Sequence, residues 1–182
     1  MDSRRYGSRT INFTYRHHKI IMQLSKHFTL EEMTRSMVAA RKGIDNTPGS
    51  GEIKNLGNLC YEVLEPVRAH FDKPISISSG YRSEALCEAI GSKKTSQHAL
   101  GCAADFEINN VPNIKVAYWL INNVDFDQCI LEYYKPDDGA AGWIHVSYDE
   151  QGSNRKQILT FDGKKYSEGL PDMKWSGGKV VE

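Results

Sequence analysis

Two side chains of the kinds that bind zinc, His98 and Asp105, lie in the short stretch SQHALGCAAD. Six residues separate them, and one of these is Gly101, which permits a tight bend of the backbone. The histidine belongs to a polar loop and the aspartate to a predicted strand, so a loop that folds back over the strand can bring both side chains to one ion. Catalytic zinc commonly has three protein ligands and one position for water. The stretch therefore predicts two of the three ligands of a zinc centre.

The third ligand is predicted at His145, in the middle of the strand-like segment GWIHVSYD. Side chains alternate between the two faces of a strand, so His145 shares its face with Trp143 and Ser147 rather than with the flanking aliphatic residues. Two histidines and one carboxylate suit a catalytic zinc site, which draws its ligands from His, Asp and Glu. One zinc ion is therefore the predicted cofactor.

A general base is predicted at Glu132, in the strand-like segment FDQCILEYY. If this segment and the one containing His145 form an antiparallel hairpin centred between Asp138 and Gly139, Glu132 lies directly opposite His145. Opposed residues share a face of the sheet, with Cβ atoms about 5 Å apart. A carboxylate placed there can take a proton from a water whose pKa zinc lowers to about 7, and pass it to a leaving amine.

Three further polar residues are predicted to contact the substrate. Arg82 follows the predicted strand PISISS, and its planar guanidinium can bind a carboxylate of a peptide through two hydrogen bonds. This makes Arg82 a candidate for both substrate binding and catalysis. Ser96 and Gln97 lie beside His98, where they can orient the ligand or hydrogen-bond the polarised carbonyl of a substrate.

Each of these residues also has an ordinary structural explanation. A histidine such as His98 is common in exposed loops, His145 suits a satisfied core position, and Asp105 can cap a turn. Arg82 can form a surface ion pair, and Glu132 can face solvent on an edge strand. A zinc centre requires the side chains of His98, Asp105 and His145 to converge on one point. The separate structural roles do not require this.

The elements that must position these residues indicate an α+β fold in one domain. Thr29 and Glu32 form a capping-box pattern at the start of a short helix, and hydrophobic spacing predicts a long helix that contains Pro66 as a candidate kink. Shorter helices are predicted in SEALCEAIG and PNIKVAYWLINNV, and strands in PISISS, CAADFEI, FDQCILEYY, GWIHVSYD and RKQILTFDGKKY. Because the helices come first and the strands cluster later, we expect an antiparallel sheet with the helices packed on it.

Composition limits the class of protein. A chain of 182 residues with 40% hydrophobic and 25% charged residues is typical of one globular domain. Lys plus Arg and Asp plus Glu number 23 each, and this zero formal net charge argues against a nucleic-acid partner and against a metal-dependent nuclease. No apolar run is long enough for a membrane helix, so no membrane insertion is predicted. The four cysteines form no C-x-x-C pair and are predicted to be reduced and buried: Cys60, Cys87, Cys102 and Cys129.

The assembled residues resemble a known family. SQHALGCAAD fits the pattern S-x-H-x-x-G-x-A-x-D of the zinc D-alanyl-D-alanine carboxypeptidases, a group that includes the vancomycin-resistance D-Ala-D-Ala dipeptidases and phage L-alanyl-D-glutamate endolysins. SSGYRS is similar to the arginine segment of the family and GWIHVSY to its second histidine segment. The resemblance covers roughly residues 24–160.

The resemblance implies zinc bound by His98, Asp105 and His145, with Arg82 contacting the substrate, in a fold that Hedgehog domains share. The dipeptidase branch has its base three residues before the last histidine, where this chain has Gly142. The pairing argument for Glu132 fills that gap. Two weaker candidates for the base are Glu107 and Asp127.

The resemblance implies a zinc metallopeptidase that hydrolyses peptidoglycan peptides containing D-amino acids, either at a terminal D-Ala or inside the stem as an endolysin does. The alternative is a non-catalytic, zinc-stabilised module that binds such peptides, as the Hedgehog resemblance allows.

Three regions are predicted along the chain. Residues 1–21 are basic and are expected to form a flexible extension or an arm that touches anionic surfaces. Residues 22–170 are expected to form the zinc peptidase domain, and residues 171–182 a C-terminal tail. The N-terminus has no apolar signal segment, which favours cytoplasmic synthesis and action on the cell wall after release, in a phage or a bacterium.

Overall fold

The computed structural model describes residues 12–16, 19–139, 141–152, 154–176 and 179–181. Its helices are α1 (Leu30–Thr34), α2 (Met37–Lys42), α3 (Ser50–Leu59), α4 (Glu65–Phe71), α5 (Glu84–Ala89) and α6 (Asn113–Asn123). Its strands are β1 (Asn12–Arg16), β2 (Lys19–Gln23), β3 (Ile75–Ser79), β4 (Ala103–Ile108), β5 (Gln128–Glu132), β6 (Trp143–Ser147), β7 (Gln157–Phe161), β8 (Tyr166–Glu168), β9 (Lys174–Ser176) and β10 (Lys179–Val181). None of the helices within these ranges is long and apolar enough to span a bilayer.

The predicted α+β class is confirmed, and a six-stranded sheet in the order β3-β4-β6-β5-β7-β8 is its centre. The expectation of a purely antiparallel sheet is wrong for one pair, because β7 runs parallel to β5 while every other neighbouring pair is antiparallel. The chain that leaves β6 passes β5 and starts β7 beside the start of β5, where the Gln157 amide donates to the Asp127 carbonyl at 2.9 Å. The segment RKQILTFDGKKY, predicted as a strand, forms β7 and then turns into β8, which pairs with β7 at the end of the sheet.

The two faces of this sheet differ in chemistry because side chains alternate along each strand. One face joins the helices in the buried core, through residues such as Ile77, Phe106, Cys129, Leu131, Ile144 and Val146. The opposite face has Asp105 beside His145 in one row of paired residues. Glu132 and Trp143 form a pair in the next row. The chemistry therefore lies on the face that is turned away from the main core.

The predicted hairpin of β5 and β6 exists, but its predicted register is wrong by two residues. Ile130, not Glu132, lies opposite His145, and Glu132 lies opposite Trp143. The loop between β5 and β6 is not centred between Asp138 and Gly139. Tyr133 (φ 55°) and Gly142 (φ 75°), which flank the last strand pair, both have a left-handed backbone. A shift by two residues keeps every side chain on its own face, so Glu132 still shares the face of His145.

The long predicted helix is interrupted by a π-helical turn, Cys60–Leu64, between α3 and α4. Pro66 has no backbone N–H to donate to the turn before it, and its ring crowds that turn. The Glu65 amide bonds back to the Cys60 carbonyl, five residues earlier, which widens the helix just before the proline. The apolar stripe stays in register across this turn, because Leu59, Cys60, Val63, Leu64 and Val67 are all buried.

The ends of the chain contain small two-stranded sheets that the sequence did not predict. β1 pairs with β2 across the boundary between the expected extension and the expected domain, and β9 pairs with β10 inside the expected tail. Residues 1–11, 17 and 18 of that extension lie outside the described residues, as do 177, 178 and 182 of the tail. The capping-box prediction is confirmed by the Thr29 hydroxyl, which accepts from the Glu32 amide at 3.2 Å. All four cysteines are free and buried, as predicted.

Candidate metal centre

The three predicted ligands converge. His98 Nε2, His145 Nδ1 and Asp105 Oδ1 form a triangle with sides of 3.2 Å between the two histidines, 2.9 Å from His145 to Asp105, and 3.2 Å from His98 to Asp105. All three residues are buried, with at most 8% of their surface exposed. Asp105 and His145 are brought together by the pairing of β4 with β6, in which they are direct partners.

His98 reaches this pair from the loop between α5 and β4. Gly101 turns that loop with a φ of 70°, and a side chain there would collide with the backbone of Glu52 in α3. The Cys102 amide closes the bend by donating to the Gln97 carbonyl at 2.9 Å. The loop is therefore folded back over the strand that carries Asp105, as the sequence predicted.

The other ring nitrogen of His98 fixes the orientation of the imidazole. Nδ1 lies 2.7 Å from the carbonyl oxygen of Gly80, which can only accept, so Nδ1 carries the proton and donates it. Nε2 is then left with its lone pair facing His145 and Asp105. This is the arrangement in which a zinc-binding histidine donates its second N–H to a backbone carbonyl.

Arg82 lies beside the three ligands, but its observed contacts are with protein side chains. Its Nη2 donates to Asp105 Oδ2, the oxygen that does not face the histidines. Its Nε donates to Ser79 Oγ at 2.8 Å, and its side chain is 18% exposed. The guanidinium thus holds the Asp105 carboxylate in place, and the contact with substrate stays a prediction.

Charges within the cluster set the protonation of its members. Burial would raise the pKa of Asp105, but its contacts with His98 and His145 hold it well below its usual range. Burial lowers the pKa of His98, and the positive charge of Arg82 acts in the same direction, against the opposing effect of Asp105. The aspartate is therefore ionised and His98 is biased towards the neutral form, which are the states that bind metal.

Glu132 lies one row of the sheet from the ligands and senses their charges. Burial and the nearby negative charge of Asp105 raise its pKa, while the positive charges of His145 and Arg82 oppose the rise. A carboxyl group with a raised pKa beside a metal site is suited to accept and return a proton.

Gly142, three residues before His145, lies at a position that is unsuited to any side chain. Its φ of 75° disfavours any side chain, and a Cβ there would overlap the carbonyl oxygen of Glu132. The two strands approach too closely at this point for residue 142 to carry a carboxylate.

The remaining predicted residues lie around the centre in other roles. Ser96 Oγ accepts weakly from the His98 amide at 3.4 Å, and the Gln97 side-chain amide donates to Asp127 at 2.8 Å. Hydrogen bonds from Arg155 hold the pKa of Asp127 well below its usual range, so this carboxylate is a poor base. Glu107 lines an open cavity of about 540 Å³ that also includes Ser76.

Two contributors were missed at the sequence level. The Gly80 carbonyl that orients His98 is a backbone group, which residue types do not reveal. Arg155, which binds Asp127, is a lone exposed arginine in a loop and carries no motif.

The arrangement fits a zinc ion. Two ligands of a tetrahedral ion, each about 2.05 Å from it, are about 3.3 Å apart, close to the three separations observed here. Two imidazole nitrogens and one carboxylate oxygen match the donors that zinc prefers. These three residues are also the group of His, Cys, Asp and Glu side chains, within the described ranges, whose ligand atoms lie close enough to share an ion.

An α+β domain with two histidines and an aspartate at one point on the open face of its sheet is the arrangement of a zinc-dependent peptidase. Comparison with known proteins gives the family: the profile described as Peptidase M15 matches residues 26–147, about two thirds of the chain. The chain belongs to the M15 peptidases, which are zinc metallopeptidases of the cell-wall type. No curated protein matches it.

Proposed function

We propose that the protein hydrolyses amide bonds next to D-amino acids in the stem peptides of peptidoglycan. The observation that carries this proposal is the triangle of His98, Asp105 and His145 with the Glu132 carboxyl group on the same face of the sheet. Three protein ligands leave a fourth position on zinc for water, as in catalytic sites, and the nearby carboxyl group supplies the proton transfer that amide hydrolysis needs.

His98, Asp105 and His145 would hold the ion, and zinc bound there supplies a Lewis acid that polarises a carbonyl and acidifies a water. Glu132 takes the proton from the attacking water and delivers it to the nitrogen of the leaving amine. The Gly80 carbonyl and the Arg82 guanidinium keep His98 and Asp105 in their binding orientations.

Arg82 is also proposed to contact the substrate. One guanidinium nitrogen donates to Asp105 and Nε donates to Ser79, which leaves further N–H groups of the planar fork for a substrate carboxylate. Ser96 is proposed to help orient the bound peptide from the loop that carries His98. For Gln97, the bond to Asp127 favours a supporting role over substrate contact.

The test is mass spectrometry of purified muropeptides after incubation with the protein, with and without a chelator. Loss of one terminal residue would identify a carboxypeptidase, and a cut inside the stem would identify an endopeptidase of the endolysin type. Both products should vanish with the chelator and return with added zinc. Zinc binding without any cleavage would instead identify the non-catalytic binding module, and the proposal would be wrong.

A further inference from the structure

The carboxylate of Asp127, the residue before β5, is bound on several sides. Arg155 donates to Oδ1 from Nε at 2.9 Å and from its backbone amide at 3.0 Å, and to Oδ2 from Nη2 at 2.6 Å. Asp127 is 5% exposed, although the Arg155 side chain is 55% exposed. A two-point ion pair of this kind fixes both the position and the plane of the carboxylate.

The same carboxylate contacts both chain segments that carry the histidine ligands. Gln97, the residue before His98, donates from Nε2 to Oδ2 at 2.8 Å. Ser147, two residues after His145 on the same face of β6, lies 3.5 Å from Oδ2 through its hydroxyl. The Asp127 amide also donates to the Ser147 carbonyl at 2.8 Å. One rigid acceptor therefore joins the His98 loop to the strand of His145.

We propose that Asp127 and Arg155 are positioning residues of the zinc centre, which set the separation of His98 and His145 by anchoring Gln97. This proposal deepens the proposed function and rests on it. His98 is itself held by the Gly80 carbonyl at its ring and by the Arg82 amide, which donates to its carbonyl at 3.2 Å. The Gln97 anchor adds a side-chain link from this loop to the residue that precedes β5, and so helps to set where Nε2 lies relative to the strand pair. Partners of this kind, one step removed from the ion, commonly change metal affinity by about 10- to 100-fold.

Arg155 lies eight residues beyond the region that matches the family profile, which ends at residue 147. The support therefore comes from the connection between β6 and β7, outside the matched part of the chain. The same connection produces the parallel pairing of β7 with β5, because Arg155 and Gln157 both bind residue 127. Residue 127 therefore takes part in both features: its carbonyl binds the start of β7, and its carboxylate binds Arg155 and Gln97.

The experiment measures zinc affinity by competition with a chelator of known affinity, and the absorption bands of the Co²⁺-substituted protein. Arg155→Met removes the fork while keeping an unbranched side chain, and Arg155→Lys restores the charge without two-point geometry. The control is Lys156→Met, which removes the neighbouring exposed ion pair with Asp125. We expect Arg155→Met to weaken zinc binding about 10- to 100-fold and to shift the Co²⁺ bands. Arg155→Lys should recover part of this loss, and Lys156→Met should stay within about twofold.

A second variant, Gln97→Ala, keeps the Asp127–Arg155 pair intact and should weaken zinc binding in the same way. Because both changes act through one contact, the double variant should lose less affinity than the product of the two single losses. Wild-type zinc affinity and Co²⁺ spectra in Arg155→Met and Gln97→Ala would overturn the proposal, as would equal losses in Arg155→Met and Lys156→Met.

The failure of this proposal is distinct from the failure of the proposed function. If the unmodified protein binds zinc but cuts no muropeptide, the proposed function is wrong while the affinity series still decides the positioning role. If the unmodified protein binds no zinc, both are wrong.

Discussion

Replacing Glu132 with Gln removes one titrating oxygen and keeps the size of the side chain, so it isolates the proposed general base. Glu132 is not one of the three ligands, which lie within 3.2 Å of one another, so zinc affinity should change little. General-base catalysis contributes about 10²- to 10⁴-fold to rate, which corresponds to about 2.7 to 5.5 kcal/mol of activation free energy. We expect kcat for muropeptide hydrolysis to fall by that factor, with KM nearly unchanged.

The matched control is Glu107→Gln. Glu107 is a carboxylate on the same face of the sheet, two residues from Asp105, and the sequence made it a weaker candidate for the base. Zinc content by metal analysis and hydrolysis by mass spectrometry are measured for both variants. A loss at Glu107→Gln as large as that at Glu132→Gln, or full activity in Glu132→Gln, would refute the assignment.

Three further predictions concern pH, backbone strain and metal. Glu132 must be ionised to act as the base, so kcat/KM of the zinc-loaded protein should fall as pH drops through the pKa of Glu132. A pH–rate profile measures this acid limb, and its persistence in the residual activity of Glu132→Gln would contradict the assignment. Gly142→Ala forces a side chain onto a backbone of φ 75° against the Glu132 carbonyl. The free energy of unfolding measured in urea should therefore fall by at least about 2 kcal/mol. A fall of less than about 0.5 kcal/mol would contradict the close approach of the two strands. Zinc at 1,000 times its Kd should stabilise the fold by about 4 kcal/mol, seen as a rise in Tm; His145→Ala should abolish the rise, and an equal rise in that variant would place the ion elsewhere.

Acid stability provides a separate test of the Asp127–Arg155 pair. Hydrogen bonds from Arg155 depress the pKa of Asp127 below 3.8, so the pair stabilises the fold above that value and the stabilisation is lost as pH falls through the depressed folded-state pKa. Urea unfolding between pH 2 and 6 should therefore show a steeper acid loss in the unmodified protein than in Asp127→Asn. Identical slopes in the two proteins would contradict the depressed pKa.

The face of the sheet that carries the site was predictable, but the register of its strands was not. Alternation along β5 and β6 places Glu132 and His145 on one face whatever even shift applies. The register depends on the backbone of Tyr133 and Gly142, two positions whose left-handed conformation follows from the loop as a whole. A symmetric turn, assumed from the sequence, therefore predicts a strand register that is wrong by two residues.

The ligands were predictable because their chemistry is unusual for their positions, whereas their supports were not. A shared metal ion is the simplest role that accounts together for a histidine and an aspartate on either side of Gly101 and a second histidine in a strand. The carbonyl of Gly80 and the side chain of Arg155 depend on tertiary contacts between distant segments. The parallel placement of β7 is likewise set by a long connection rather than by any local pattern.

The measurement that tests the zinc centre most directly is metal analysis with zinc-edge X-ray absorption on the purified, zinc-loaded protein and on His98→Ala, Asp105→Ala and His145→Ala. We predict one zinc per chain, bound by two imidazole nitrogens, with oxygen atoms as its remaining ligands. Tight zinc binding should be lost in each variant. Sulfur ligation, or stoichiometric tight binding that survives all three substitutions, would contradict the account.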